Sequence, residues 1–346
     1  MRFAFAAALA LFAVQPAWAQ NPGRTIEIPA SAAWQHAESG MVLQSKVAGL
    51  ARGKILDRTP DERDVSMEYG GKDGLYTTIY VYQTLLPVTG IWMDRAVTSV
   101  RLRPGWNAGD ASPAIIPFTR PGGTAASGLR TSLDLNVASP KSTAIAIAPL
   151  GNWLVKIRMT STVLDRAALQ TRMTQFIEGL RWPASTKAEP AAAVVQPCPT
   201  ALALKRAKIV REDMADSLMN ALMGVAMADV EAEIDSKSLA PAAYCREPGP
   251  LDQMSVYRPD GSAERYVIAM GDDGIALSVA PAFDLDALGS DRRGKQRVSM
   301  TLLDRNATSA LPSFNRLPPP EQALQVARSS APSMSVTVGK PKKPND

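Results

Sequence analysis

Residues Pro183 to Pro197 read PASTKAEPAAAVVQP, a stretch rich in alanine and proline with no polar/apolar period. Such a segment joins a second packed core to a first without joining either, and its composition reads as a semi-extended spacer. The chain has 346 residues, and a domain usually takes about 100–200. The break therefore predicts two domains, at 25–182 and 198–311, with a spacer at 183–197 and a Pro-rich, basic, partly disordered tail at 312–346.

Alternation of apolar and polar residues marks strands in the first domain. Tyr76 to Gln83 (YTTIYVYQ) is β-branched and aromatic almost throughout, which suits a pleated, half-buried surface. Thr25 to Pro29, Ala51 to Asp57 and Asp64 to Tyr69 are further candidates, and the three glycines of Gly70-Gly71-Lys72-Asp73-Gly74 supply a hairpin turn before Tyr76. Trp92, Ala96 and Val100 recur at four-residue spacing and predict a helix over 91–103. Residues 104–128 read as a loop. Strands are expected at Arg130–Val137, Ser142–Ala148 and Asn152–Thr160, the last two joined by the turn at Pro149-Leu150-Gly151-Asn152. Leu164, Leu169, Met173, Phe176, Ile177 and Leu180 trace one face of a closing helix, stopped by Trp182-Pro183. Strands, a helix, more strands and a last helix predict an α+β domain with an antiparallel sheet and packed helices.

Two strands in STAIAIAPLGNWLVKIRMTS, a helix ending FIEGLRWP and the earlier YTTIYVYQ strand together resemble the PsbP/Mog1/DcrB-like α/β/α sandwich over residues 25–183. The resemblance lies in topology. It implies an accessory or binding module and brings no catalytic set that maps onto residues of this chain.

The second domain resembles no family. It is expected to be α+β as well, with a helical pattern over 202–235 followed by an antiparallel meander. Met254–Tyr257 and Arg265–Met270 flank the turn signal Pro259-Asp260-Gly261. Ile275–Val279 follows the turn Asp272-Asp273-Gly274, and Arg297–Leu303 is the fourth strand. Beyond Pro312, Pro318-Pro319-Pro320 suggests polyproline II, 321–328 a short helix, and 339–346 a disordered basic end.

The first twenty residues, MRFAFAAALALFAVQPAWAQ, carry an arginine, an apolar run from Phe3 to Val14 and the small-x-small sequence Ala17-Trp18-Ala19. This is the pattern of a secretory signal cleaved after Ala19. No later stretch reaches 18 consecutive apolar residues, so no transmembrane segment is expected after cleavage. The expected location is periplasmic or secreted. Cys198 and Cys245 then sit in an oxidising compartment and read as a disulfide. In the chain-entropy account, closing that loop stabilises the fold by about 4 kcal/mol.

One histidine in the whole chain, His36, limits the chemistry. Zinc sites needing two histidines are excluded, and any Ser-His or Cys-His pair must use this one residue. No GxSxG elbow and no GxGxxG occur, so His36 reads as a surface or half-buried residue beside Trp34. Asp57, Asp61, Glu62 and Asp64 crowd one loop and Asp284, Asp286 and Asp291 another. Both are interleaved with arginines and lack the EF-hand order, so they read as solvated turns. Met219, Met223 and Met227 at four-residue spacing suit core packing better than Cu(I). Arg101 and Arg103 alternate, as do Lys156 and Arg158. Alternation on a strand puts both side chains on one face, a possible basic contact surface for an anionic envelope component. The net charge is +5, and no nucleic-acid-binding signature appears.

These features predict no cofactor, no metal and no catalytic residue. The first expectation is an exported, non-enzymatic accessory or binding protein that meets an envelope protein or an anionic surface component. An exported hydrolase using carboxylates or a Ser/Lys pair requires polar groups with shifted pKa values converging in one cleft. A small-molecule or lipid binder requires an enclosed apolar cavity of roughly 300 Å³ or more.

Overall fold

The computed structural model describes residues 23–71, 73–108, 113–184, 189–210, 214–215, 217–222, 243–249, 252–282 and 297–337. The signal-like segment, Asp284, Asp286, Asp291, Met223, Met227 and residues 339–346 lie outside the described residues.

The first half contains β1 (Arg24–Thr25), β2 (Trp34–Gln35), β3 (Val42–Leu43), β4 (Lys46–Val47), β5 (Leu50–Asp57), β6 (Asp64–Gly70) and β7 (Leu75–Gln83). Helix α1 (Thr89–Arg101) follows, then β8 (Ile116–Phe118), β9 (Gly128–Asp134), β10 (Ser142–Leu150), β11 (Trp153–Ser161) and helix α2 (Arg166–Gly179). The main sheet runs β1-β5-β6-β7-β11-β10-β9-β8, with β4 paired to β5, and every pairing is antiparallel. Alternation along each strand decides what each face meets. Ile79, Val81, Ala144, Ala146, Ala148, Val155 and Ile157 point to one face, where α2 packs with Leu169, Met173, Phe176 and Ile177. Tyr80, Tyr82, Ile145, Ile147 and Leu154 point to the other, where α1 packs with Ile91, Trp92, Ala96 and Val100. Asp165 caps α2, accepting from the Ala168 N–H, one of the four donors a helix start leaves unpaired.

The second half holds β12 (Gln196–Pro197), β13 (Ile209–Val210), β14 (Tyr244–Arg246), β15 (Met254–Pro259), β16 (Tyr266–Met270), β17 (Ile275–Pro281), β18 (Val298–Asp304), β19 (Ala307–Phe314), helix α3 (Pro320–Ser329) and β20 (Met334–Thr337). Its sheet runs β12-β14-β15-β16-β17-β18-β19-β13, with β20 beside β19. All pairs are antiparallel except β12 with β14. Helix α3 covers one face over Ile268, Leu277, Met300 and Phe314. Tyr244, Tyr257, Val267, Ala269, Ala276 and Leu303 line the other face and share a core with α1. The layers are therefore α2, first sheet, α1, second sheet, α3. The fold is α+β, with two predominantly antiparallel sheet regions.

Three expectations need correction. The spacer does not float. Ala192, Val194 and Val195 pack on the core around α1, and the Ala192 N–H bonds the Ala126 carbonyl. A Cβ on Gly90 would lie 2.3 Å from the Ala193 oxygen, so the strap crosses α1 where only glycine leaves room. The buried Glu189 carboxylate takes the Arg120 guanidinium at 2.6 Å and the Ser127 hydroxyl at 2.9 Å. Residues 202–210 are extended, not helical. The N–H groups of Leu202, Ala207 and Lys208 are taken by Glu247, Gln322 and Asn315 side chains, partners a helix would forgo. The second domain also continues past 311. β19 runs through Pro312 to Phe314 with a register shift in its pairing to β18, a position where a strand tolerates proline, and α3 and β20 follow.

The halves are joined through α1 by polar contacts as well as by the shared core. Arg95, 1 % exposed, donates from Nε to the Gly271 carbonyl at 2.8 Å, from Nη1 to Ser255 Oγ at 2.6 Å and from Nη2 to the Asp252 carbonyl at 2.9 Å. Asp94 accepts from the Tyr257 hydroxyl at 2.5 Å and pairs with Arg246 at 3.5 Å. Removing Arg95 leaves the buried Ser255 hydroxyl and two part-buried carbonyls without their donor, and each bond to a charged group is worth about 1.5–3 kcal/mol. Arg95→Ala is expected to lower unfolding free energy by at least about 3 kcal/mol, measured as a fall in the urea midpoint. A change within the error of the fit contradicts the role given to this side chain.

Candidate functional site

The α1 side of the first sheet is apolar only in part. On β9 and β10 it presents Leu129, Leu133, Ile145 and Ile147, and α1 lies there. On β6, β7 and β11 the same face presents Asp64, Ser66, Tyr80, Tyr82, Lys156 and Arg158, by the register Ser66↔Tyr80↔Lys156 and Asp64↔Tyr82. Helix α1 gains by burying the apolar half and leaves the polar half uncovered. Two hairpin tips of the second sheet close over that half. One is Gly271–Gly274, between β16 and β17, and the other is Arg305-Asn306, between β18 and β19. The result is a half-open cleft of about 520 Å³. Its floor is Tyr80, Tyr82, Ile145, Lys156 and Arg158. Ala96, Ser99 and Val100 of α1 form one side, Arg58, Thr59 and Asp64 the other, and Asp272, Asp273, Ile275, Asp304 and Arg305 the roof.

The roof is held at close range. Gly274 (φ +92°) lets the backbone meet the Tyr82 ring, where a Cβ would lie 3.0 Å from the ring edge. Thr84 Oγ1 donates to the Gly274 carbonyl at 2.9 Å. Lys156 Nζ binds the Asp272 carboxylate at 3.0 Å and its carbonyl oxygen at 2.7 Å, and lies over the Tyr80 and Tyr82 rings at 4.6 and 5.5 Å. Arg305 meets Asp304 at 2.7 Å and Asp64 at 3.4 Å.

Other groups in the cleft are not matched. The Tyr82 hydroxyl is buried and has no hydrogen-bond partner among the described residues, as are Nε and Nη2 of Arg158. Burial, with nearby Asp272, Asp273 and Asp64, pushes the Tyr82 phenol well above its ordinary range, so it is a neutral O–H donor. Burial, reinforced by Arg103, lowers the Arg158 pKa against the pull of Tyr80 and Asp272. The adjacent roof carboxylates diverge. Burial raises the pKa of Asp272, but Lys156, Arg158 and Arg95 outweigh it and hold it below the usual value. Asp273 is pushed up to about 6, by burial first and then by Asp272, with Lys156 opposing.

The residues singled out in the sequence are distributed as follows. His36 is 1 % exposed rather than at the surface. Its Nδ1 accepts from the Ser39 N–H at 3.0 Å and its Nε2 donates to the Glu62 carbonyl at 2.8 Å, with Trp153 edge-on at 4.5 Å. Burial lowers its pKa. It is a neutral packing residue and does not line the cleft. Asp57 is buried, not solvated, and accepts from Arg24 at 2.9 Å and the Thr59 N–H at 3.0 Å. Asp61 meets Arg63 at 2.5 Å. No group of metal-binding side chains occurs among the described residues. Cys198 and Cys245 are disulfide-bonded, with Cα atoms 4.8 Å apart.

The expected basic contact face is not an open surface. Lys156 and Arg158 share a sheet face, but the second sheet roofs it and Lys156 is 6 % exposed. Arg101 ends α1 and Arg103 lies just beyond, neither on a strand. Arg103 and Arg158 nevertheless meet, stacked on the same Trp106 indole. Asp272-Asp273-Gly274 carries only a turn signal in the sequence. It is a turn, and it also carries the carboxylates of the roof.

Asp273 gives the site a pH signature. Across pH about 4 to 6 the folded chain keeps a proton that the unfolded chain, with a carboxyl near 3.8, has lost. Stability contributed by this group therefore falls as pH rises through that window. Asp273→Asn is expected to be more stable than the parent above pH 6, on the order of 1 kcal/mol after solvent screening, and equal to it near pH 4. Paired urea titrations at the two pH values measure this, and no difference at high pH contradicts it.

No helix among the described residues is long and apolar enough to cross a membrane. Compared with known proteins, the chain matches no family model, no curated protein and no solved structure.

Proposed function

We propose that this chain is an exported, non-enzymatic binding protein whose site is the cleft between its two sheets, and that the occupant is a small polar molecule. One observation carries the reading. The Tyr82 hydroxyl and two Arg158 N–H groups are buried on the cleft lining without partners, although native structures satisfy nearly all such groups. A polar solute in the cleft supplies the missing acceptors. A charged, half-open lining suits such a solute better than a lipid tail. The disulfide and the signal-like first 19 residues support export to the periplasm or beyond. The α2/sheet/α1 layering supports the resemblance of residues 25–183 to PsbP/Mog1/DcrB-like modules, and with it an accessory role.

The opposed shifts of Asp272 and Asp273 favour a second reading, a carboxylate-dependent hydrolase. The binding reading ranks first because Asp272 is already engaged by Lys156 through both its carboxylate and its carbonyl.

Ser99 projects into the cleft from the half-buried side of α1, so Ser99→Trp fills the site without touching either core. Native mass spectrometry of the protein purified without denaturation from its exported fraction is expected to show a mature chain beginning at Gln20 with a bound small solute. The Ser99→Trp protein is expected to lack that solute. A solute-free parent, or equal occupancy in both proteins, contradicts the reading.

A further inference from the structure

Trp106 lies against two arginines. The Arg103 guanidinium sits 4.1 Å from the indole centroid and that of Arg158 sits 4.6 Å away. Each contact is a favourable cation–π arrangement, yet together they bring two like charges to one ring. Buried or half-buried charges are normally paired, and two cleft cations are: Lys156 has Asp272, and Arg305 has Asp304 and Asp64. The Arg103 and Arg158 side chains have no carboxylate at ion-pair distance among the described residues, and they share the Trp106 ring. Nε and Nη2 of Arg158 form the fork edge of the guanidinium, which grips an oxyanion through two parallel hydrogen bonds. Both atoms lack an acceptor.

Resting on the binding reading above, we infer that the Arg158–Trp106–Arg103 stack is an oxyanion-binding end of the cleft, which takes a carboxylate or phosphate group of the solute. Arg158 grips the oxyanion from the cleft floor as its side chain turns toward the opening. The exposed Arg103, outside the cleft lining, adds charge from across the Trp106 ring. Trp106, 8 % exposed, backs both guanidinium groups at cation–π distance. Of the roof carboxylates, Asp272 is paired with Lys156, and Asp273 loses its charge as pH falls below about 6, so anion binding is expected to strengthen in that direction.

Calorimetric titration at fixed ionic strength, with inorganic phosphate and separately with succinate, tests the assignment. Saturable binding of at least one probe is expected, and the probe that binds identifies the oxyanion as phosphoryl or carboxylate. Arg158→Gln and Arg103→Gln are each expected to weaken it by about tenfold or more. Arg103 is exposed, so its variant remains informative if Arg158→Gln is poorly folded. Arg166→Gln, an exposed arginine on the opposite side of the sheet, is expected to bind like the parent. No saturable binding of either probe, or an equal loss in Arg166→Gln, overturns the inference. A neutral solute that co-purifies and is expelled by Ser99→Trp overturns the oxyanion site and leaves the binding reading standing. A solute-free parent removes both.

Discussion

Helix α1 is buried on two sides, and the second burial adds buried polar contacts to a shared apolar core. Towards the first sheet it presents Ile91, Trp92, Ala96 and Val100. Towards the second it presents Asp94 and Arg95, which together reach Tyr257, Arg246, Gly271, Ser255 and Asp252. A guanidinium enclosed to 1 % exposure is tolerable only where its donors are met. Here they are met by backbone carbonyls and a hydroxyl from the other half of the chain. The position of the second sheet is thus specified by hydrogen-bond geometry as well as by area, and the hairpin tips that roof the cleft take their places from it.

The cleft follows from an economy in the first sheet. One face is apolar across β6, β7, β11 and β10 and is covered by α2. The other changes from isoleucine and leucine on β9 and β10 to tyrosine, lysine, arginine and aspartate on β11, β7 and β6. A helix of 13 residues covers the apolar part. The polar part cannot be buried against hydrocarbon, so the second half of the chain meets it with turns, whose aspartates and arginine match some of its charges. The unmatched remainder, Tyr82 and Arg158, is where a ligand has something to gain.

Much of the scaffold was legible in the sequence because it is local. YTTIYVYQ, STAIAIAPL and the Leu169/Met173/Phe176/Ile177 stripe each carry their own period, and the cysteine pair carried its own chemistry. Features that depended on distant partners were not legible. Residues 202–210 have apolar spacing that suits a helix, but Glu247, Gln322 and Asn315 hold their N–H groups in extended backbone. The alanine-rich strap looked featureless because its docking is decided by Gly90 and Arg120, far away in the chain. The cleft was the least visible of all. Lys156 and Asp272 are 116 residues apart, and neither has a neighbour in sequence that announces the other. The basic alternation at Lys156 and Arg158 did point to the right sheet face, and the missing signal was that another sheet covers it.

The two sheets form one cooperative body around α1, with the cleft as a fixed feature of that body. Differential scanning calorimetry of the full, oxidised chain measures this cooperativity. A single transition whose calorimetric and van't Hoff enthalpies agree is expected. Two resolved transitions, each with the enthalpy of one half, would show that the sheets fold and move separately and that the cleft is not a built site.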